Sequence, residues 1–255
     1  MKVRTPENVL PGAEGFFLKG SDHAVMLIHG GGGGSASDMR EIGQYIFEKT
    51  GYSVYVPLLP GYGTTKEELA ETHVEDWLNA VKQDFKELKQ EMQKVFIIGH
   101  SMGGVLALYL AGEFPDEIAG IVAISAPTKL KGFLIKLVPF FQLFVKYWKV
   151  TDAEKFKQIS NGLWVGYEKI PLAIVGRMKK LIKMNNAQLH RITAPILIIQ
   201  GIHDQFVPKS SPLKIYNEVS SSNKTIKWFD SNHEILFSKV KTEMFACIVD
   251  WMQNL

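Results

Sequence analysis

Residues 95–111 read VFIIGHSMGGVLALYLA. An apolar run ends at Ile98, the turn Gly99-His100-Ser101-Met102-Gly103 follows, and a second apolar run begins at Val105. A strand that passes straight into a helix requires a very sharp turn. If the residue at its tip carries a nucleophile, the hydroxyl is held up and exposed. That residue then occupies a strained backbone region, and glycines two before and two after it remove side chains that would clash. The same turn leaves the N–H of Met102 at a helix N-terminus, where partial positive charge favours an anion. The alternative reading of Ser101 is a plain helix N-cap.

Outward from this turn, short apolar runs alternate with helical patterns. Strands are predicted at GFFLKG (15–20), AVMLIH (24–29), YSVYVP (52–57), VFIIGH (95–100), GIVAIS (120–125), PILIIQ (195–200) and TIKWFD (225–230). Most of the later runs are apolar almost throughout, the pattern of parallel strands covered on both faces. Ser35 with Asp38, and Thr72 with Glu75, fit capping boxes. The set Val74, Trp77, Leu78, Val81, Phe85 and Leu88 recurs at helical spacing. Ser211-Pro212 suits a helix start, and Val240, Met244, Cys247, Ile248 and Trp251 mark a final amphipathic helix. Strand, helix, strand, repeated, predicts an α/β protein with a mostly parallel, doubly wound sheet. The alternation breaks at 127–194, where the pattern is helical and rich in aromatic residues. The predicted organisation is a core of 1–126 and 195–255 with a small helical cap insertion at 127–194.

A serine hydroxyl is a poor nucleophile at neutral pH. It needs a base, and the base needs an orienting acid. Of the seven histidines, His29 and His100 belong to glycine-rich turns, and His23, His73, His190 and His203 have no motif around them. His233 lies between the last strand and the last helix, at the sheet edge where open α/β sheets place their sites. Asp204, just past the run PILIIQ, is the preferred acid. Asp230 is the alternative, since it also ends a strand and lies closer to His233 in sequence.

The run AVMLIHGGGGGSASD places five glycines after a buried strand. Glycines let backbone come close to a reacting oxygen, so the N–H of Gly31, with that of Met102, is the predicted pair of donors to an oxyanion. Phosphate binding is disfavoured. No Lys-Ser or Lys-Thr follows the glycines, and a dinucleotide fingerprint would need a glycine where Ser35 stands and an acid ending the next strand.

Composition narrows the function classes. The formal charge of +3 is too small to suggest a nucleic-acid partner. The charge is unevenly spread: 127–190 holds twelve Lys and Arg against three Asp and Glu, leaving the remainder acidic. The most apolar stretch, GFLIKLVPFFQLFV, contains a lysine and a proline and is too short to span a bilayer. One cysteine, Cys247, and an N-terminus without a hydrophobic segment predict a cytoplasmic location.

The motifs HGGGG (29–33), PGYG (60–63), GHSMGG (99–104), GIHDQFVP (201–208) and SNHEI (231–235) together resemble the α/β-hydrolase superfamily, and within it the bacterial carboxylesterase and monoacylglycerol-lipase group. The resemblance spans nearly the whole chain. It implies an eight-stranded sheet, the eighth strand falling near 1–10, a cap over the site, and no cofactor. It assigns Ser101 as nucleophile, His233 and Asp204 as its partners, and Gly31 and Met102 as oxyanion donors. Aromatic and aliphatic residues at 132–148 suit an apolar acyl pocket, so the expected substrate is a small carboxylic ester with an apolar acyl group. Gly32, Phe133, Leu137, Phe141 and Trp148 are the expected substrate contacts. Relatives often carry a bulky residue where this chain has Gly31, which predicts a wider acyl pocket here. Lysines interleaved with the cap aromatics fit weak contact with an anionic membrane surface. An acyltransferase or thioesterase on the same residues, or a non-catalytic binding protein, are the alternatives.

Overall fold

The computed structural model describes residues 3–131, 144–149 and 153–255. Among the described residues nine strands run β1 (Phe16–Leu18), β2 (His23–Ile28), β3 (Ser53–Val56), β4 (Lys94–His100), β5 (Gly120–Ile124), β6 (Tyr147–Lys149), β7 (Lys169–Pro171), β8 (Ile196–Gly201) and β9 (Lys224–Phe229). Seven of them form one sheet in the order β1-β3-β2-β4-β5-β8-β9. β1 is antiparallel to β3, and every other neighbouring pair is parallel.

The alternation of side chains along each strand explains the double winding. Met26, Ile97, Ile121 and Ile198 face one layer, which contains Trp77, Val81 and Phe85 of α3 (Val74–Glu91) and nearly all of α4 (Met102–Glu113). Their neighbours Val25, Leu27, Ile98, Val122 and Ile199 face the other layer, with Ile42 and Ile46 of α1 (Arg40–Thr50) and Met244, Ile248 and Met252 of the last helix, Lys241–Gln253. Both faces are covered, so the strands are apolar at successive positions rather than alternating. Helix α4 is buried all round, which accounts for its lack of a polar stripe.

Several local expectations shift. The described residues near the N-terminus, 3–10, hold no strand, so the implied eighth strand is not there and the main sheet has seven. The box expected at Thr72 and Glu75 sits one residue later. The His73 N–H donates to Asp76 Oδ2 at 2.7 Å, while the Thr72 hydroxyl closes a short preceding helix, α2 (Lys66–Glu71), by donating to the Glu68 carbonyl. Ser35 caps a single 3-10 turn, Ala36–Met39, that leads into α1. Pro212 falls in the first turn of the helix Ser210–Glu218, as its fixed φ favours.

The segment 127–194 is not purely helical. β6 and β7 pair antiparallel, Trp148 opposite Ile170. Aromatic and β-branched residues satisfy a strand as readily as a helix face, so periodicity could not separate the two here. The helix Ala173–Asn186 within this segment packs on α3 and α4, and its Leu181 and Ile182 join the same hydrophobic cluster as the sheet. Among the described residues no helix is long and apolar enough to cross a membrane.

Candidate active site

The chain order reverses between β2 and β4. β3 lies to one side of β2 and β4 to the other, so the loops leaving the ends of β2 and β4 part at this point. A crevice at the carboxyl ends of the strands is the expected consequence. Four segments meet there: 29–35 after β2, Ser101 after β4, Asp204 after β8 and His233 after β9.

Ser101 has φ 53° and ψ −115°, in the region that side chains rarely adopt. The turn is tight enough that a Cβ on Gly99 would lie 2.1 Å from the Gly103 carbonyl oxygen. One on Gly103 would lie 2.0 Å from the Ile28 carbonyl oxygen. Both obstacles are backbone, so no side-chain adjustment relieves them. The Ser101 N–H donates to the Ile124 carbonyl at 2.8 Å, tying the turn to β5.

Ser101 Oγ is 3.0 Å from His233 Nε2, and His233 Nδ1 is 2.8 Å from Asp204 Oδ2. The Asp204 carboxylate is 1 % exposed. Its Oδ2 also accepts from the Gln200 side-chain amide, and its Oδ1 accepts from the N–H groups of Phe206 and Val207, each at 2.8 Å. Burial alone would raise this carboxyl. The hydrogen bond and attraction to His233, with the two backbone N–H groups, outweigh it and hold the group below the ordinary carboxylate range. The alternative acid, Asp230, pairs instead with His203 at 2.8 Å on the surface, its side chain 80 % exposed.

Three further side chains, to which no sequence pattern assigns a role, support the site. The His100 side chain reaches the His233 carbonyl through Nε2 at 3.0 Å. The acceptor is a carbonyl, so Nε2 carries the hydrogen. Burial, together with the neighbouring His233, pushes the His100 pKa down to about 3 and keeps the ring neutral. His29 donates from Nδ1 to the Gly30 carbonyl at 2.9 Å and accepts from the Leu59 N–H at 3.1 Å; burial lowers its pKa to about 4. Tyr62 donates to the Gly31 carbonyl at 3.2 Å. Each of these contacts joins residues far apart in sequence or bends the chain back on itself, so no local pattern signals it.

The loop after β2 lies against the serine turn. A Cβ on Gly30 would be 3.5 Å from Ser101 Cβ. At Gly31 the expected extra space is absent: a Cβ there would be 2.8 Å from Met102 Sδ and 3.1 Å from the Tyr62 hydroxyl. Those two side chains occupy the volume that a bulky residue at 31 would take. The open direction is at Gly32, where a Cβ would meet no atom within 4 Å. Trp148 lies on β6 and is 59 % exposed, and Phe133, Leu137 and Phe141 fall outside the described residues. Among the described residues no three His, Cys, Asp or Glu side chains gather as a metal site requires.

Beneath the glycine loop, Asp38 Oδ1 is buried without a partner, and its Oδ2 would be 2.1 Å from a Cβ on Gly34. Burial raises the Asp38 pKa from 3.8 to about 7, against smaller lowering by Ser35 and Ser37. The folded chain therefore keeps a proton that the unfolded chain releases above 3.8. The contribution of Asp38 to stability should fall as pH rises from that value to about 7, then level off. In Asp38→Asn this part of the slope should disappear and the melting temperature at pH 8 should rise by a few degrees. Thermal melts of both proteins across that range check it.

The fold, with a parallel sheet, helices on both faces and a sharp serine turn at the switch point, is that of the α/β hydrolases. A solved structure described among the metagenome-derived lipolytic enzymes LipS and LipT superposes with a TM-score of 0.89 at 28 % identity, covering 97 % of this chain and 100 % of the other. Residues 20–239 match the family described as serine aminopeptidase, S33, and the chain belongs to that family of hydrolases. It is 31 % identical to a carboxylesterase of Bacillus subtilis (strain 168) across 100 % of this chain and 99 % of the relative. It is 34 % identical to a thermostable monoacylglycerol lipase of Bacillus sp. (strain H-257), over 86 % of this chain and 85 % of the relative.

Proposed function

We propose that the protein hydrolyses carboxylic esters with apolar acyl groups, through an acyl-enzyme on Ser101. The observation that carries this reading is the unbroken line from Ser101 Oγ to His233 Nε2 at 3.0 Å and from His233 Nδ1 to Asp204 Oδ2 at 2.8 Å. His233 takes the serine proton as Ser101 attacks the ester carbonyl. Asp204 holds the imidazole with Nδ1 protonated and stabilises its charged form. The oxyanion of the tetrahedral intermediate is received by the N–H groups of Gly31 and Met102. His233 then gives its proton to the departing alcohol, and water releases the acid by the same route. The carboxylesterase and monoacylglycerol-lipase relatives support the substrate class. Segment 127–194 acts as a cap, and its root is stitched to the glycine loop. Ser35 Oγ donates to the Val165 carbonyl at 2.7 Å, and the Tyr167 N–H donates to the Gly33 carbonyl at 2.8 Å.

The test is a series of 4-nitrophenyl esters of increasing acyl length, with a monoacylglycerol and an aminoacyl arylamide beside them, and labelling by a fluorophosphonate probe. Labelling at Ser101 with turnover of esters is the expected result. Turnover confined to the arylamide would transfer the reading to a peptidase.

The cap also supports weak contact with an anionic membrane. Phe144 and Trp148 are 75 % and 59 % exposed, and Lys146 and Lys149 stand beside them in the chain. Anionic vesicles are expected to carry the protein upward in flotation at low salt, and zwitterionic ones not; binding indifferent to salt and lipid charge would contradict this.

A further inference from the structure

The run Gly30–Gly34 is, by composition, the most pliable stretch of the chain, yet the proposed chemistry needs one of its N–H groups fixed in direction. An oxyanion donor is effective because it is already aimed before charge develops, whereas a glycine backbone loses the most freedom when ordered. Something outside the run must supply the rigidity. In a trans peptide the carbonyl and the N–H of one plane point to opposite sides. Holding the carbonyl of residue 30 therefore aims the N–H of residue 31.

Both peptide planes that meet at Gly31 are held in this way. The Gly30 carbonyl accepts from His29 Nδ1 at 2.9 Å, which turns the Gly31 N–H away from the imidazole. The Gly31 carbonyl accepts from the Tyr62 hydroxyl at 3.2 Å. The two clamps brace each other, since their rings meet edge-on with centroids 5.3 Å apart. Tyr62 is fully buried, and burial raises its phenol well above the ordinary value, so it stays a donor. The hydroxyl also lies 3.8 Å from Met102 Sδ, so one side chain touches both residues proposed to supply donors.

The PGYG motif at 60–63 is built to present this side chain. Gly61 and Gly63 have φ of 78° and 66°, so the turn needs glycine on both sides of Tyr62. The Tyr62 N–H donates to the Leu59 carbonyl at 3.1 Å, and the Trp77 indole donates to the Pro60 carbonyl at 3.0 Å. The turn is thus pinned to α3, a rigid element.

We propose that Tyr62, together with His29, is a positioning residue for the oxyanion donor: the two side chains lock the peptide planes on either side of Gly31 and so preset the direction of its N–H. This rests on the ester-hydrolase reading above. Neither side chain touches the substrate or the reacting atoms. Their effect belongs to the transition state, where the oxyanion forms, and not to ground-state binding.

The experiment compares wild type with Tyr62→Phe, which removes one hydroxyl and leaves the ring. Two inhibitors are used: a trifluoromethyl ketone, whose hemiketal with Ser101 places an oxyanion at the donors, and the matching carbinol, which forms none. Tyr62→Phe is expected to lower kcat by about tenfold and weaken the ketone by the same factor, the scale of one buried hydrogen bond. KM and the carbinol affinity should stay within about twofold, since neither involves the oxyanion. A merely structural role would move both inhibitors together. Unchanged kcat and ketone affinity, or parallel loss of ketone and carbinol affinity, overturns the proposal. If Tyr62→Phe does not fold, His29→Asn, whose amide N–H can take the place of Nδ1–H, is compared with His29→Leu. The asparagine variant should retain clearly more kcat, and equal impairment of the two overturns the proposal. A wild-type protein that fails to bind the ketone through Ser101 removes the hydrolase reading with it. A wild type that binds it normally, beside an equally competent Tyr62→Phe, removes this inference alone.

Discussion

Ser101→Ala should reduce kcat by about a millionfold while leaving the fold intact, the scale seen when a triad nucleophile is removed elsewhere. The structural reason is specific to this turn. Ser101 Oγ bonds to His233 Nε2 and makes no capping bond to its own helix. Its loss therefore removes the proposed attacking atom and little else. The backbone at φ 53° is held by the Ser101 N–H to Ile124 and by the packing of Gly99 against Gly103 and of Gly103 against Ile28, all of which alanine keeps. Residual turnover should come from the oxyanion donors and from binding. Single-turnover kinetics, loss of fluorophosphonate labelling and an unchanged melting temperature are the measurements. A variant within about tenfold of wild type would show that another group attacks. Ser101→Gly should be equally inactive and more stable than Ser101→Ala, because glycine adopts this backbone without a Cβ penalty.

Asp204→Asn should cost about 10⁴-fold in kcat at neutral pH, with the protein still folded. Its geometry leaves the new amide one good orientation. The N–H groups of Phe206 and Val207 both point at Oδ1, so the asparagine carbonyl must stay there. The amide NH2 then replaces Oδ2, facing His233 Nδ1 and the Gln200 amide. Gln200 can flip to present its carbonyl. His233 can pair with the new N–H only by leaving Nδ1 unprotonated, which moves its hydrogen to Nε2. An imidazole protonated at Nε2 cannot accept the Ser101 proton. Activity should recover in part at high pH, where hydroxide can take the Ser101 proton in place of His233. A pH–rate profile from 6 to 10 reads this directly, and a loss of only a few fold would show that Asp204 does not set the tautomer.

The fold was legible because its strands are buried on both faces. Such strands carry unbroken apolar runs, and five of the seven runs in the sheet need little else to be found. The edge strands β1 and β9 are less distinct, being only partly buried, and their predicted ends lie within two residues of the observed ones. Segment 127–194 is the least legible part. Its aromatic residues suit either a strand or a helix, and β6 with β7 is stabilised by pairing across 19 intervening residues that no local window contains.

The sequence alone determined the serine turn, because a strand, a hydroxyl and two flanking glycines must lie next to one another in the chain to make it. It also determined the order in which Ser101, Asp204 and His233 follow one another along the chain, each just after a strand. Tertiary structure decided the rest: that Asp204 and not Asp230 reaches His233, that Gln200 and two backbone N–H groups saturate that carboxylate, and that Met102 and Tyr62 fill the space beside Gly31. These are contacts between elements distant in sequence. Hydrogen bonds depend on direction and on tenths of an ångström, and those are fixed by the packing of the sheet and helices, not by spacing along the chain.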